Sequence, residues 1–265
     1  MRMLLKLKAH NKYITPNYNY QLSSAIYNLL RLGSSEFAEF LHTTGYKQNK
    51  RTYKLFTFSL QFDKISIEKG KIKLLSPRAS LYIDSAITDD FITNFVLGSF
   101  GAQTIHLQFG KELVTFEIEQ AETLPEPQFG ETAKFKLLSP IVLSTMKDTE
   151  VSINTYYLRY NDDMEEINRI LNQNLINKYE LIHNSPYNGG AVKLSWDDEY
   201  IKRRKARGKR LTKKISVLKS GERPIEIVGN EIPFTLTGSP ELMKVGYSCG
   251  FGEKNSMGFG MAEVV

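Results

Sequence analysis

The chain has 265 residues, 41% of them hydrophobic and 24% charged, which excludes a disordered or fibrous polypeptide and suits two domains of about 120 to 140 residues each. Lys and Arg number 35 against 29 Asp and Glu, a net charge of +6 that attracts a polyanion if the cations share one surface. Cys249 is the only cysteine, which excludes an internal disulfide and cysteine-rich zinc sites, and neither a signal-length apolar run at Met1 to Lys8 nor a membrane-length one elsewhere is present, so the expected compartment is the cytoplasm.

Met3, Leu5 and Leu7 repeat with period two and predict a strand over Arg2 to Ala9. Leu22, Ile26, Leu29 and Leu30 recur at helical spacing and predict a helix over Gln21 to Leu32, and after the turn at Gly33 a shorter helix carries Phe37, Phe40 and Leu41. Strands are expected over Tyr53 to Phe62 and Ile65 to Leu75, a helix over Thr88 to Leu97, and strands over Ile105 to Phe109 and Val114 to Ile118. Ala121 to Thr132, with Pro125, Pro127 and Gly130, reads as a linker, dividing an N-terminal domain of residues 1–122 from a C-terminal domain of residues 131–265. Beyond it, strands are expected over Lys134 to Leu138 and Val151 to Leu158, then a long helix over Asp162 to Ile182. Further strands are expected over Ala191 to Trp196, Lys213 to Leu218, Ile225 to Val228 and Pro233 to Thr237, a short helix over Pro240 to Gly246, and a last strand over Gly260 to Val265. This order gives an α+β protein of two tandem ferredoxin-like, or RRM-like, domains. The paired strings KIKLLSP at Lys71 to Pro77 and KFKLLSP at Lys134 to Pro140 read as two strand ends closed by Ser-Pro rather than as a repeat.

Two segments could hold a polyanion. Gly246, Gly250, Gly252, Gly258 and Gly260 surround Glu253, Lys254 and Asn255, and a chain without Cβ atoms can bring backbone N–H groups against phosphate; the alternative is a Gly-rich connection into a final strand. Neither a Walker A lysine nor a long following helix is present, which argues against ATP or a dinucleotide. Lys202, Arg203, Arg204, Lys205, Arg207, Lys209, Arg210, Lys213 and Lys214 form a cationic run that would clamp RNA or form a solvated hairpin. His10, His42, His106 and His183 show no metal-ligand spacing, and Asp89, Asp90, Asp162, Asp163, Glu165 and Glu166 lie at predicted helix starts, so no metal or other cofactor is expected. His42 ends a short helix before the cation-rich segment Thr43 to Arg51, as either a proton-transfer group or a carbonyl cap.

The string VGYSCGFGEKNSMGFGMAEV at Val245 to Val264 resembles the Gly-rich signature of CRISPR-associated repeat-processing endoribonucleases of the RAMP superfamily. AIYNLL, EFLHTTGY and KLF near the N-terminus are similar to segments carrying that family's catalytic Tyr, His and Lys, in the same order. The resemblance implies two ferredoxin-like domains and a catalytic set of Tyr27, His42 and Lys54, with Lys47, Lys50 or Arg51 as replacements for Lys54. It also implies metal-independent attack of a ribose 2′-hydroxyl on the adjacent phosphate within CRISPR repeat RNA, leaving a 2′,3′-cyclic phosphate and a 5′-hydroxyl. His42 and Tyr27 would share the acid and base roles in either order, and Lys54 would stabilise the charged phosphate. RNA would be held by Lys202 to Arg210 and by Gly250, Gly252, Lys254, Asn255, Gly258 and Gly260. Implied partners are CRISPR repeat RNA and an interference complex receiving the product, with the protein a monomer or homodimer and no membrane involved. The rival is a non-catalytic CRISPR RNA-binding protein of the same fold.

Overall fold

A computed structural model describes residues 1–49, 51–148, 153–217 and 224–265. The N-terminal half runs β1 (Arg2–Ala9), β2 (Tyr13–Ile14), α1 (Asn19–Gly33), α2 (Ser35–Glu39), a π-helical turn (Phe40–Thr44), β3 (Tyr46–Gln48), β4 (Arg51–Tyr53), β5 (Phe56–Phe62), β6 (Ile65–Glu68), β7 (Lys71–Leu74) and β8 (Arg78–Ser85). A second π-helical turn (Thr88–Ile92) leads into α3 (Thr93–Ala102), β9 (Thr104–Phe109) and β10 (Glu112–Leu124). The main sheet has the order β5-β8-β1-β10-β9, every neighbouring pair antiparallel.

The alternation in β1 has a structural consequence on each face. Met3, Leu5 and Leu7 join Phe56, Phe58, Leu81 and Ile83 in a core covered by α1 and α3. Arg2 and its cross-strand partner Asp84, with Thr57 and Ser59, turn to the other face and toward the second domain. The two covering helices meet backbone to backbone: a Cβ on Gly98 would lie 1.8 Å from the Leu29 carbonyl oxygen.

The C-terminal half comprises β11 (Thr132–Leu137), β12 (Ser144–Asp148), β13 (Ile153–Tyr157), α4 (Met164–His183), β14 (Val192–Trp196), α5 (Asp198–Ala206), β15 (Thr212–Val217), β16 (Ile225–Asn230), β17 (Phe234–Gly238), α6 (Pro240–Cys249) and β18 (Ala262–Val264). Its sheet has the order β14-β17-β11-β18. In the C-terminal sheet the first strand lies between the third and fourth with the second at the edge, the ferredoxin-like permutation, and the N-terminal sheet repeats it with β1 between β8 and β10, β5 at one edge and β9 added at the other.

Several expectations change. Arg78–Ser85, not anticipated as a strand, lies inside the sheet beside β1, with its alternating Ala79, Leu81 and Ile83 buried and Ser80, Tyr82 and Asp84 on the other face. Ile65 to Leu75 is a hairpin, reversed at Lys69 and Gly70 with φ of 50° and 74°. Tyr53 to Phe62 is interrupted at Lys54 and Leu55, the latter at φ 53°. Ala121 to Leu124 is not linker but the end of β10, paired with Arg2 to Leu5, because β1 continues to supply hydrogen-bonding partners there. Ser144–Asp148 adds an unanticipated hairpin strand. Val151 and Leu218, the expected ends of two strands, lie outside the described residues. No helix among the described residues is long and apolar enough to cross a membrane.

Candidate active site

Helix α1 turns one polar stripe toward the C-terminal half. Asn19, Ser23 and Tyr27 follow one another at i, i+4 and i+8. Asn19 Nδ2 donates to the Met257 carbonyl at 2.9 Å and Ser23 Oγ to the Ser256 carbonyl at 2.7 Å, which ties the helix to the Gly-rich loop. Tyr27 stands one turn further along, half-buried, its ring edge-on to Phe56 at 5.9 Å between centroids. Burial pushes its phenol well above the usual tyrosine range, so the hydroxyl holds its proton.

His42 lies in the π-helical turn after α2, exposed, with its ring edge-on to Tyr27 at 5.3 Å and 88°. Lys54 approaches from the β4–β5 connection. Its ammonium donates to the carbonyls of Leu41 and of His42, the latter at 2.9 Å. Gly45 makes room for it: a Cβ there would lie 2.9 Å from Lys54 Nζ. Partial burial lowers the pKa of Lys54. Residues from α1, from the π-helical turn and from the β4–β5 connection thus meet on the edge of the N-terminal domain.

The alternatives to Lys54 are placed differently. Arg51 pairs with Glu253 at 3.0 Å, Lys47 is exposed on the β3–β4 hairpin, and Lys50 lies outside the described residues. That hairpin reaches α4, where Gln48 bonds Glu180 at 2.6 Å and Asn49 bonds Asn177 at 3.0 Å.

The Gly-rich loop is a wedge between the domains. Gly250, Gly252, Gly258 and Gly260 all have positive φ and all are buried. A Cβ on Gly252 would meet the Val142 carbonyl oxygen at 2.2 Å, and one on Gly260 the Phe251 carbonyl oxygen at 2.0 Å, so the glycines are required by close packing as well as by conformation. Lys178 of α4, wholly buried, donates to the Gly250 carbonyl at 2.6 Å, the Gly252 carbonyl at 2.8 Å and Asn255 Oδ1 at 2.8 Å. Asn255 returns a bond from Nδ2 to the Phe259 carbonyl at 3.0 Å. Lys254, at φ 60°, is the loop's exposed side chain.

The cationic run is a helix and turn rather than a hairpin. Asp197 caps α5 by accepting from the Tyr200 amide at 2.8 Å, and Gly208, at φ 60°, follows its end. Lys202 pairs with Glu199, Arg203 and Arg204 lie over the Tyr200 ring, and Lys205 lies over Tyr160. Arg204 also donates to the Arg210 carbonyl at 2.8 Å, while Arg207, Lys209 and Arg210 are exposed. These contacts stay within the C-terminal domain; the run reaches the interdomain seam at Lys213, which lines a groove shared with Asn17, Tyr18 and Gly258.

Asn19, Ser23 and Lys178 were not anticipated. A signal for Lys178 exists: Ile167, Ile170, Leu171, Asn174, Leu175 and Lys178 form one buried stripe of α4, in which an Asn and a Lys occupy core positions. Among the described residues, no three His, Cys, Asp or Glu side chains gather as a metal-ligand set.

Residues 13–119 match the family model described as CRISPR-associated protein Cas6, N-terminal, and residues 124–264 that of CRISPR associated protein Cas6, C-terminal. The chain is 37% identical to the CRISPR-associated endoribonuclease Cas6 1 of Methanocaldococcus jannaschii, over 98% of this chain and 91% of that protein. It is 25% identical to the CRISPR-associated endoribonuclease Cas6 of Pyrococcus furiosus, over 100% of this chain and 90% of that protein. A solved CRISPR associated protein Cas6 superposes with a TM-score of 0.74 at 32% identity, covering 100% of this chain and 99% of the other. Two matched domain models, a relative at 37% identity over nearly the whole chain and the repeated ferredoxin-like permutation lead to one conclusion: the chain belongs to the Cas6 family of CRISPR-associated RAMP proteins.

Proposed function

We propose that this protein is an endoribonuclease that cuts CRISPR precursor RNA within its repeats by intramolecular transesterification, without a metal ion. The observation that carries the reading is the convergence of Tyr27 and His42, their ring centroids 5.3 Å apart, with the Lys54 ammonium on the His42 carbonyl. The ribose 2′-hydroxyl gives up its proton and its oxygen bonds to the adjacent phosphorus. The bond from phosphorus to the 5′-oxygen then breaks, and that oxygen takes a proton. A 2′,3′-cyclic phosphate and a 5′-hydroxyl result, with no water consumed.

The chemistry of the two side chains divides the roles. A phenol whose pKa is raised by burial is a poor proton acceptor and remains loaded as a donor, so Tyr27 protonates the departing 5′-oxygen. His42, exposed to the RNA side, takes the 2′-hydroxyl proton. Lys54 supplies a fixed positive charge to the phosphorane, whose extra negative charge exists only near the transition state. Lys254 and the exposed cations of α5 and the turn after it hold phosphates, with contact from the Gly-rich loop made at Lys254 rather than at the packed glycines or at Asn255, whose amide is engaged by Lys178 and the Phe259 carbonyl.

The test is single-turnover cleavage of repeat RNA by the parent and by His42→Ala, each in EDTA, with affinity measured in parallel. The expected outcome is a cyclic-phosphate product unaffected by EDTA and a loss of about 10² to 10⁴ in rate for His42→Ala at nearly equal affinity. Equal rates for the two proteins would remove His42 from the mechanism. Tight RNA binding by the parent with no cyclic phosphate formed would favour a non-catalytic carrier.

A further inference from the structure

Beside Lys54 lies a cavity of about 420 Å³ that the cleavage chemistry leaves unused. Lys54, Phe56, Asn174, Lys178, Glu253 and Lys254 line it, and Arg51 stands at its edge. It adjoins the catalytic pair through two shared residues: Lys54 bonds the His42 carbonyl, and the Phe56 ring is edge-on to Tyr27. Its size falls within the range of small-molecule sites and suits one nucleotide.

Three features describe what would fit. The lining carries four cations against one carboxylate, and that carboxylate is already engaged, Glu253 accepting from Arg51 at 3.0 Å and from Ser144 Oγ at 2.5 Å. The cavity is therefore disposed toward an anion. Second, Asn174 is only 3% exposed, and its Oδ1 has no hydrogen-bond partner. Its neighbours on the same helix face are spoken for: Asn177 donates to the Tyr53 hydroxyl at 2.8 Å and accepts from Asn49 and Gln173, and Lys178 serves three oxygens of the Gly-rich loop. A buried amide oxygen left unpaired is unfavourable until a donor arrives. Third, an asparagine amide offers an acceptor and a donor side by side, the pattern that complements the edge of a nucleobase.

Resting on the reading of this protein as an RNA-binding nuclease, we infer that this cavity receives one nucleotide of the bound RNA, with Asn174 selecting its base and Lys54 and Lys254 holding its phosphates. Asn174 is then a specificity-determining residue, separate from the groups that move protons. Base identity at one position of the repeat would be read next to the site of cleavage, as single-stranded RNA is generally read, by hydrogen bonds to an unstacked base.

The experiment measures affinity in the His42→Ala background, so that binding is read without turnover. A panel of repeat RNAs carries each of the four bases at one position at a time. The Asn174-intact protein should prefer one base at one position by roughly 10- to 100-fold. Adding Asn174→Leu, close in size and apolar, should reduce that preference to about 3-fold or less, with selectivity elsewhere unchanged. Asn174→Ser serves the same comparison if the leucine variant does not fold. The inference is overturned if every base preference survives in the Asn174 variants, or if the Asn174-intact protein has none. Adenosine monophosphate and inorganic phosphate are titrated as probes, and binding of both that the Asn174 variants leave unaltered would show an anion site with no base selection, which also overturns it. Base selection that depends on Asn174 in a parent protein that forms no cyclic phosphate would sink the cleavage reading while leaving this one standing.

Discussion

Replacing Lys178 by methionine tests whether one buried ammonium holds the Gly-rich wedge in place. The methionine matches the stem in volume but strands the Gly250 carbonyl, the Gly252 carbonyl and Asn255 Oδ1, which Lys178 now serves at 2.6, 2.8 and 2.8 Å. Each stranded buried acceptor costs about 1–3 kcal/mol. A second effect opposes this. Burial pushes the Lys178 ammonium from its ordinary 10.5 down to about 8, and a displacement of that size corresponds to about 3 kcal/mol of unfavourable burial that methionine does not carry. Taking the middle of the first range, Lys178→Met should be destabilised by about 3 kcal/mol near pH 7 and unfold roughly 5–10 °C lower. The difference should depend on pH. Because the folded state releases the Lys178 proton at about 8 and the unfolded state near 10.5, the unfolded state binds more protons between those values. The proton-linked part of its contribution is therefore absent below pH 8 and rises from pH 8 toward 10.5, on top of the hydrogen bonds present at pH 7. Denaturant unfolding of parent and variant at pH 7 and pH 10 reads both effects, and the gap between them should widen at pH 10. Equal midpoints at pH 7, or a gap that narrows at pH 10, would refute the account of Lys178 as the strut of the loop.

The division of roles proposed for Tyr27 and His42 predicts that Tyr27→Phe slows cleavage by about 10² to 10⁴, and that a substrate with sulfur in place of the departing 5′-oxygen restores the rate, since a thiolate leaves without a proton. His42→Ala should not be rescued by that substrate; rescue of both variants, or of neither, would reject the assignment. Changing Arg203, Lys205 and Arg207 to Gln should lessen the dependence of log affinity on log salt by about 2, at about 0.7 for each single-strand phosphate that is no longer neutralised; an unchanged slope would take α5 out of the RNA interface. Arg2 donates to Asp84 at 3.0 Å and to the carbonyls of Ala262 and Tyr247, each at 2.8 Å, in the interior of the domain seam. Arg2→Met should cost about 3 kcal/mol, the low end for breaking a buried pair, because the Asp84 carboxylate keeps only the N-terminal ammonium of Met1 at 3.3 Å, read as a shifted denaturant midpoint; a midpoint equal to the parent's would show that the seam does not depend on this pair.

Local periodicity was enough for β1, whose Met3, Leu5 and Leu7 lie in the N-terminal core, and for α1 and α4, whose apolar stripes repeat over several turns. It failed where neighbours rather than local pattern decide. β8 shows Ala79, Leu81 and Ile83 buried on one face and Ser80, Tyr82 and Asp84 on the other, and its place beside β1, with Asp84 buried against Arg2, is set by strand pairing. α5 has no fully buried residue; only Tyr200 and Ile201 pack, partly buried, against the C-terminal core, too few for hydrophobic spacing to reveal, and Asp197 caps its start.

The same division runs through the candidate site. The resemblance of AIYNLL, EFLHTTGY and KLF to family segments marked Tyr27, His42 and Lys54 as a set, while residue type and order along the chain marked the cationic run and the five glycines, because the chemistry of a cation and of a chain without Cβ atoms is written in each residue by itself. Which of them meet is a property of the fold. The π-helical turn carries His42 to Tyr27, Gly45 opens the space that Lys54 occupies, and Lys178 and Asn174 acquire their meaning only because a core stripe of α4 faces the loop. Distances set by strand pairing and helix packing between segments far apart in the chain leave no trace in local composition, and only the assembled domains determine them.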